Sequence, residues 1–390
     1  MSFHKSRPST RRTLRVSFLS ALALVLLGAV LAVTNGSTLT AGAAVSSNGG
    51  GESLCFGTVA VLRSNDSAES IIDQSTNLIV HTIGTGADPA NNTYSGDGRY
   101  LFVGEYTGES IIMIDTSNNQ IIHTFQLGEH VTSEFVSNDD GSIVWAAVLE
   151  DVTYAPHVRK IQTSDGSVLA SFDGRADGLL LSPDGNTLWA LSVDYPNTLV
   201  NELSAATLSL TSSTTVPAYY QSATLNSTGS VLYIADDINP GIGIAAFDTQ
   251  SKSYTTLGPT IGIHSVAISP SDSTLYFVGG EFGSFFLYIL DIAAGTWTQH
   301  LALASTTAGG WIRGSRVTAD GSKLFITNDY YAQGGLVVVE TANPDTATFI
   351  PMQVSAPVAV CPLLADPAAP STTTSTTTAA TDPVAPAFTG

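Results

Sequence analysis

Positive charge is scarce in this chain. Its 390 residues include 14 Lys and Arg against 33 Asp and Glu, a formal net charge of −19. So few cations cannot neutralise a phosphate backbone, and nucleic acid is excluded as an expected partner. Cysteine is scarcer still, with Cys55 and Cys361 alone. That excludes paired-cysteine metal sites and a disulfide-dense scaffold, and leaves at most one internal bridge. Charged residues of both signs make up 12%, and charged helix-favouring stretches are nearly absent. No Gly-x-Ser-x-Gly elbow, phosphate loop or dinucleotide fingerprint occurs. The chain is instead rich in glycine, with 35 residues, and in Thr, Ser, Val and Ile. That composition predicts many short strands joined by turns.

The N-terminus reads as an export leader. Lys5, Arg7, Arg11, Arg12 and Arg15 form a basic head, and Phe18 to Val33 is apolar and uncharged. Ala41-Gly42-Ala43 supplies small residues for cleavage, giving a signal peptide over 1–43. Thr10-Arg11-Arg12-Thr13-Leu14 also loosely matches a twin-arginine signal, so the export route stays open. An uncleaved leader would be the only contact with a membrane. Removing residues 1–43, with five basic residues and no acid, leaves 9 basic and 33 acidic residues, a net charge of −24. Such acidity suits solubility outside the cell, cationic partners or metal ions. In an exported protein, secreted or held in the cell envelope, Cys55 and Cys361 are expected to form a disulfide.

A turn followed by an apolar strand recurs down the chain. Ser182-Pro183-Asp184-Gly185 leads into Leu188-Trp189-Ala190-Leu191, and Ser95-Gly96-Asp97-Gly98 leads into Leu101-Phe102-Val103. The slot of the last turn residue falls at 98, 141, 185, 229, 272 and 321, with spacings of 43 to 49 residues. A period near 44 with four strand signals per unit predicts propeller blades. In one unit the second strand is expected over 100–104, the third over 110–115 and the fourth over 120–127. Residues 59–63, 70–73 and 78–83 read as strands two to four without a first. Pro357 to Pro362 reads as a first strand without successors. The two ends are therefore expected to complete a seventh blade and remove free sheet edges. A Cys55–Cys361 bridge would then stand where the other blades have a covalent turn. The fold class is all-β, a seven-bladed propeller over 54–364. A short flexible segment precedes it at 44–53, and a Thr/Ser/Pro/Ala-rich tail over 365–390 is expected to be disordered.

These turn-strand units, with Ser269-Pro270 before Leu275-Tyr276, resemble the YVTN family of seven-bladed propellers. That family is grouped with WD40-like and quinoprotein amine dehydrogenase-like propellers. Ile111-Ile112-Met113-Ile114-Asp115-Thr116 followed by Ile121-Ile122-His123-Thr124 is similar to its third and fourth strands. The resemblance covers about residues 54–364 and implies the fold. It implies no single activity, because binding proteins, lactonase-like hydrolases and cofactor-bearing dehydrogenases share the architecture.

In a four-stranded blade, the loops entering strand one and joining strands two and three share a face, and sites belong there. The strand-entering loops carry Asp88, His130, Asp177, Tyr219, Tyr220, His264, Trp311 and Arg313. Acid, imidazole, aromatic and guanidinium groups together suit a ligand-binding rim, while Arg313 could equally pair with a rim acid. The other loops carry an acid in each blade: Asp66, Glu105, Glu150, Asp194, Asp236, Glu281 and Asp329. These form a collar for cations or Ca²⁺, or simply stabilise their own turns. Asp236 and Asp237 with Asn239 are the best local candidates for a divalent metal. Trp145, Trp189 and Trp297 fall in strands and are expected to pack the core. The expected function is a monomeric binding module for a small molecule, glycan or protein, with a metal-dependent hydrolase using His130, His264 and a rim acid as the alternative.

Overall fold

The computed structural model describes residues 55, 57–63, 67–86, 88–239, 241–281, 284–303, 311–329, 334–352, 354 and 358–362. The leader, the 44–53 segment, the tail and Asp66 lie outside the described residues.

Among the described residues, 28 strands fall into seven four-stranded antiparallel sheets. The chain opens with β1 (Thr58–Arg63), β2 (Ala68–Asp73) and β3 (Leu78–Gly84). Blade 2 follows as β4 (Pro89–Tyr94), β5 (Tyr100–Glu105), β6 (Ser110–Asp115) and β7 (Gln120–Gln126). Blade 3 is β8 (Glu129–Ser137), β9 (Ile143–Glu150), β10 (Pro156–Gln162) and β11 (Val168–Asp173). Blade 4 is β12 (Gly178–Leu181), β13 (Thr187–Asp194), β14 (Asn197–Ser204) and β15 (Leu210–Val216). Blade 5 is β16 (Tyr220–Leu225), β17 (Val231–Asp236), β18 (Ile244–Asp248) and β19 (Tyr254–Leu257). Blade 6 is β20 (Ile263–Ile268), β21 (Thr274–Glu281), β22 (Ser284–Asp291) and β23 (Thr296–Leu303). Blade 7 is β24 (Trp311–Val317), β25 (Lys323–Asp329), β26 (Gly335–Glu340) and β27 (Ala347–Pro351). The last strand, β28 (Ala359–Val360), joins β1 and completes blade 1.

The expected strands in blades 1 and 2 coincide with the observed ones to within two residues at every end. The closing strand is shorter than its sequence suggested. Two pairs hold it, Val59 with Val360 and Ala60 with Ala359. Cys55 and Cys361 are bonded and buried, with Cα atoms 5.6 Å apart. A disulfide at the closure fits an oxidising, extracytoplasmic compartment.

Each covalent turn between strands one and two uses the same device. Its first residue turns a side-chain oxygen onto the backbone N–H five positions on. Ser95, Asn138, Ser182, Asn226, Ser269 and Thr318 accept in this way at 2.9–3.1 Å. The last turn residue then takes a left-handed φ, between +67° and +75° at the five glycines. Asp272 occupies that slot in blade 6 with φ +56°, a conformation that Asp tolerates better than most residues. Its carboxylate also accepts the Ser227 N–H of the preceding blade's turn at 3.0 Å. Cys361 stands where these first turn residues stand, which is why the disulfide can replace the seventh turn.

Buried apolar residues form seven clusters, one at each junction between neighbouring blades. The core is thus a ring of interfaces around a channel. Trp145 and Trp189 are buried as expected, but Trp297 is 43% exposed. Trp297 lies on β23, and the outermost strand of a blade has no further strand to cover it.

Candidate functional site

The loop entering β4 and the β5–β6 loop lie on one face, joined by the Tyr106 N–H on the Asp88 carbonyl at 3.0 Å. At this mouth, the expected rim residues form separate pairs. The His130 ring bonds the Tyr106 carbonyl through Nδ1 at 2.8 Å and stacks on Tyr106 and Tyr154. Its Nε2 faces Asp151 at 3.6 Å, and Glu109 lies 4.0 Å from Nδ1. Asp177 binds Arg175 and accepts the Val193 N–H at 2.8 Å. Arg313 places Nε and Nη2 on Asp329 at 3.0 and 2.5 Å. Asp88 is exposed, and Trp311 opens β24 opposite Asp329 in the sheet register.

His264 lies 3.6 Å from Asp237 and packs edge-on against Phe285. Burial pushes the Asp237 carboxyl up and the His264 imidazole down, although each group's charge opposes the shift of the other. Burial wins, so both drift towards their neutral forms. Asp236 is buried and accepts the N–H groups of Ile238 and Asn239 at 2.8 and 2.9 Å. Asp236 therefore caps its own loop while Asp237 serves His264, and the two carboxylates have different partners. His130 and His264 likewise sit in separate groups on different blades. Two groups among the described residues have metal-ligand chemistry, Glu109 with His130 and Asp151 and Glu129 with Glu150 and His157, and the candidate ligand atoms of each lie within 4.8 Å of one another.

Deeper in the channel the structure assembles a group that sequence reasoning missed. Among the described residues, only Glu134 and Arg316 carry formal charge beyond the third position of an inner strand. Glu134 belongs to blade 3 and Arg316 to blade 7, yet Arg316 Nη2 comes within 3.9 Å of Glu134 Oε1. The pair spans the ring. The register of β8 explains the reach of Glu134, because residues 132–134 bulge between Val131–Val148 and Phe135–Ala146. A bulge of this kind re-aims a side chain. The Tyr220 hydroxyl, from blade 5, and the Leu179 N–H lie beside the Glu134 carboxylate and favour its ionised form. Burial pushes the Glu134 carboxyl up, opposed by the Arg316 charge. The Tyr220 hydroxyl is also pushed well above its ordinary range, first by burial and then by the Glu134 charge.

Gly178 makes room for this crossing. A Cβ there would meet the Tyr220 hydroxyl oxygen at 2.3 Å. Gly178→Ala is expected to push the hydroxyl away from Glu134 and cost about 1–2 kcal/mol. An unchanged urea midpoint would show that this approach adds nothing.

Below the crossing lies a cavity of about 360 Å³. Asn91 to Gly96, Glu134 to Ser137, Leu179, Arg316, Ala319 and Val358 to Pro362 are among its lining residues. It occupies the half of the channel towards the turns and the disulfide. Of the expected rim residues, Tyr220 alone reaches this region, through Glu134.

Another buried acid lies between blades 1 and 2. Glu69 on β2 is fully buried, in a slot filled elsewhere by Ile111, Val158, Val200, Ile244, Leu287 and Leu336. Asn92 Nδ2 donates to Glu69 Oε1 at 2.9 Å, while Glu69 Oε2 and Asn92 Oδ1 have no partner. Burial holds this carboxyl well above the usual carboxylate range, against the Asn92 bond.

This is a closed seven-bladed β-propeller with a polar crossing in its channel. No protein-family model matches the chain, and no curated protein matches it. Solved structures are similar in fold. A Desulfotomaculum acetoxidans protein described as functionally unknown has a TM-score of 0.62 at 15% identity, covering 78% of this chain and 98% of that one. Hydrazine synthase of Kuenenia stuttgartiensis has a TM-score of 0.58 at 14% identity, covering 77% and 94%. The dihydro-heme d1 dehydrogenase NirN has a TM-score of 0.54 at 12% identity, covering 79% and 76%. At these identities the likeness concerns the fold alone.

Proposed function

We propose that this is an exported, monomeric propeller of the YVTN group that binds a small ligand in its channel without transforming it. The observation that carries the reading is the 360 Å³ cavity beneath Glu134, Tyr220 and Arg316. Its size suits a small molecule, and rigid strands place its polar groups. The export leader, the closing disulfide and the acidic surface agree with work outside the cytoplasm. Thr93 lines the cavity, so Thr93→Phe is expected to fill it while leaving the blades folded. Ligand-observed NMR with pooled neutral, anionic and cationic metabolites should give binders to the native chain that this variant loses. Equal binding by both proteins would move the site elsewhere.

A divalent-metal hydrolase is the second reading, favoured by Glu109, His130 and Asp151. The Tyr106 carbonyl fixes the proton on Nδ1 and leaves Nε2 as the ligating nitrogen. Elemental analysis after incubation with Zn²⁺ or Ca²⁺ separates the readings. Stoichiometric metal lost in His130→Ala would support the hydrolase; no retained metal would remove it.

A further inference from the structure

The two charges that cross the channel have different surroundings. The Tyr220 hydroxyl and the Leu179 N–H lie beside the Glu134 carboxylate and favour its ionised form. Arg316 donates from Nη1 to the Ser315 carbonyl at 3.0 Å. Its approach to Glu134, at 3.9 Å, is close enough for charge attraction and too long for a hydrogen bond. The guanidinium carries five N–H donors, and its side chain is 37% exposed although it lies inside the ring. Among the described residues it is also the only cation lining the cavity. Neutral hydrogen-bonding side chains, Asn91, Ser95 and Ser137 among them, share that lining.

We propose that the lower half of the channel binds a small carboxylate-bearing molecule, whose carboxylate docks on Arg316. This rests on the reading of the channel as a binding site and names its ligand class. A guanidinium offers a planar fork that matches a carboxylate with two parallel bonds. A cationic ligand would be repelled by Arg316, and Glu134, the one acid among the described residues lining the cavity, already faces that guanidinium and has the Tyr220 and Leu179 groups beside it. Glu134 instead steadies the guanidinium from across the ring, and the Asn and Ser side chains suit hydroxyl or carbonyl groups on the rest of the ligand.

The test uses the full chain and pairs of probes differing in one group: benzoate and benzamide, lactate and lactamide, succinate and succinamide. Calorimetry at millimolar probe should show at least one acid binding on the order of tenfold more tightly than its amide. Arg316→Gln should abolish that preference, and Arg316→Lys, which keeps the charge but not the fork, should retain part of it. The thermal midpoint of each variant checks that the ring is closed. Acids and amides binding equally, or an acid bound as well by Arg316→Gln, would overturn the carboxylate assignment while leaving the channel a binding site. No acid binding while neutral probes bind and Thr93→Phe blocks them would do the same. No binding by any probe would count against both readings.

Discussion

Replacing Cys55 and Cys361 with serine is expected to cost about 5–6 kcal/mol, more than any other substitution considered for this chain. The bridge spans 306 residues of sequence, and loop-closure entropy over such a length gives that figure. Local structure argues in the same direction. Without the bridge, the closing strand keeps two residue pairs with β1 and the apolar cluster between blades 7 and 1, which includes Val354 and Val358. Loss of the closing strand leaves β1 as a free edge, and the junction cores then open one after another. Urea unfolding with and without reductant measures the effect. A midpoint that does not move would mean that strand pairing and the blade 7–blade 1 cluster close the ring unaided.

The second large effect is expected at Glu69. Its carboxyl is held well above the usual range by burial, whereas in the unfolded chain it ionises near pH 4.3. The folded state therefore binds this proton more tightly. The contribution of Glu69 to stability is complete below the unfolded value and declines as pH rises through the window up to the folded value. Tyr94 and Asn92 face it, and neither carries a positive charge. Glu69→Gln keeps the shape and removes the ionisation. At neutral pH it is expected to stabilise the protein by roughly 1–3 kcal/mol and to flatten this part of the pH profile. Glu69→Ala should instead cost about 2–4 kcal/mol, because it leaves a cavity and orphans the Asn92 amide. A Glu69→Gln protein less stable than the native one at pH 8 would mean that the ionised carboxylate has a partner there.

The turns made the fold legible. Their period reports the blade, and a cysteine in the slot of Ser269 or Thr318 reports the closure. Hydrogen bonds made within five residues produce that signal, so it survives in a single sequence. The channel group has no such local origin. Glu134 and Arg316 are far apart in sequence and meet because the ring curves and β8 bulges, and neither effect is written in turn chemistry. Charge inside the inner strands, as at Glu134 and Arg316, lies outside the loops where sites are ordinarily expected. Glu69 is different: an acid where six other blades place Ile, Val or Leu was visible in the repeats. Its partner Asn92, on the next blade, was not.

The closure also governs how the molecule carries load. Cys55 and Cys361 bring both ends of the propeller to one blade, with Cα atoms 5.6 Å apart. A pull between the segment before Cys55 and the segment after Cys361 passes through that covalent link and bypasses the sheets. The ring is a side loop on the line of tension, so its channel keeps its shape while the chain that bears it is stretched.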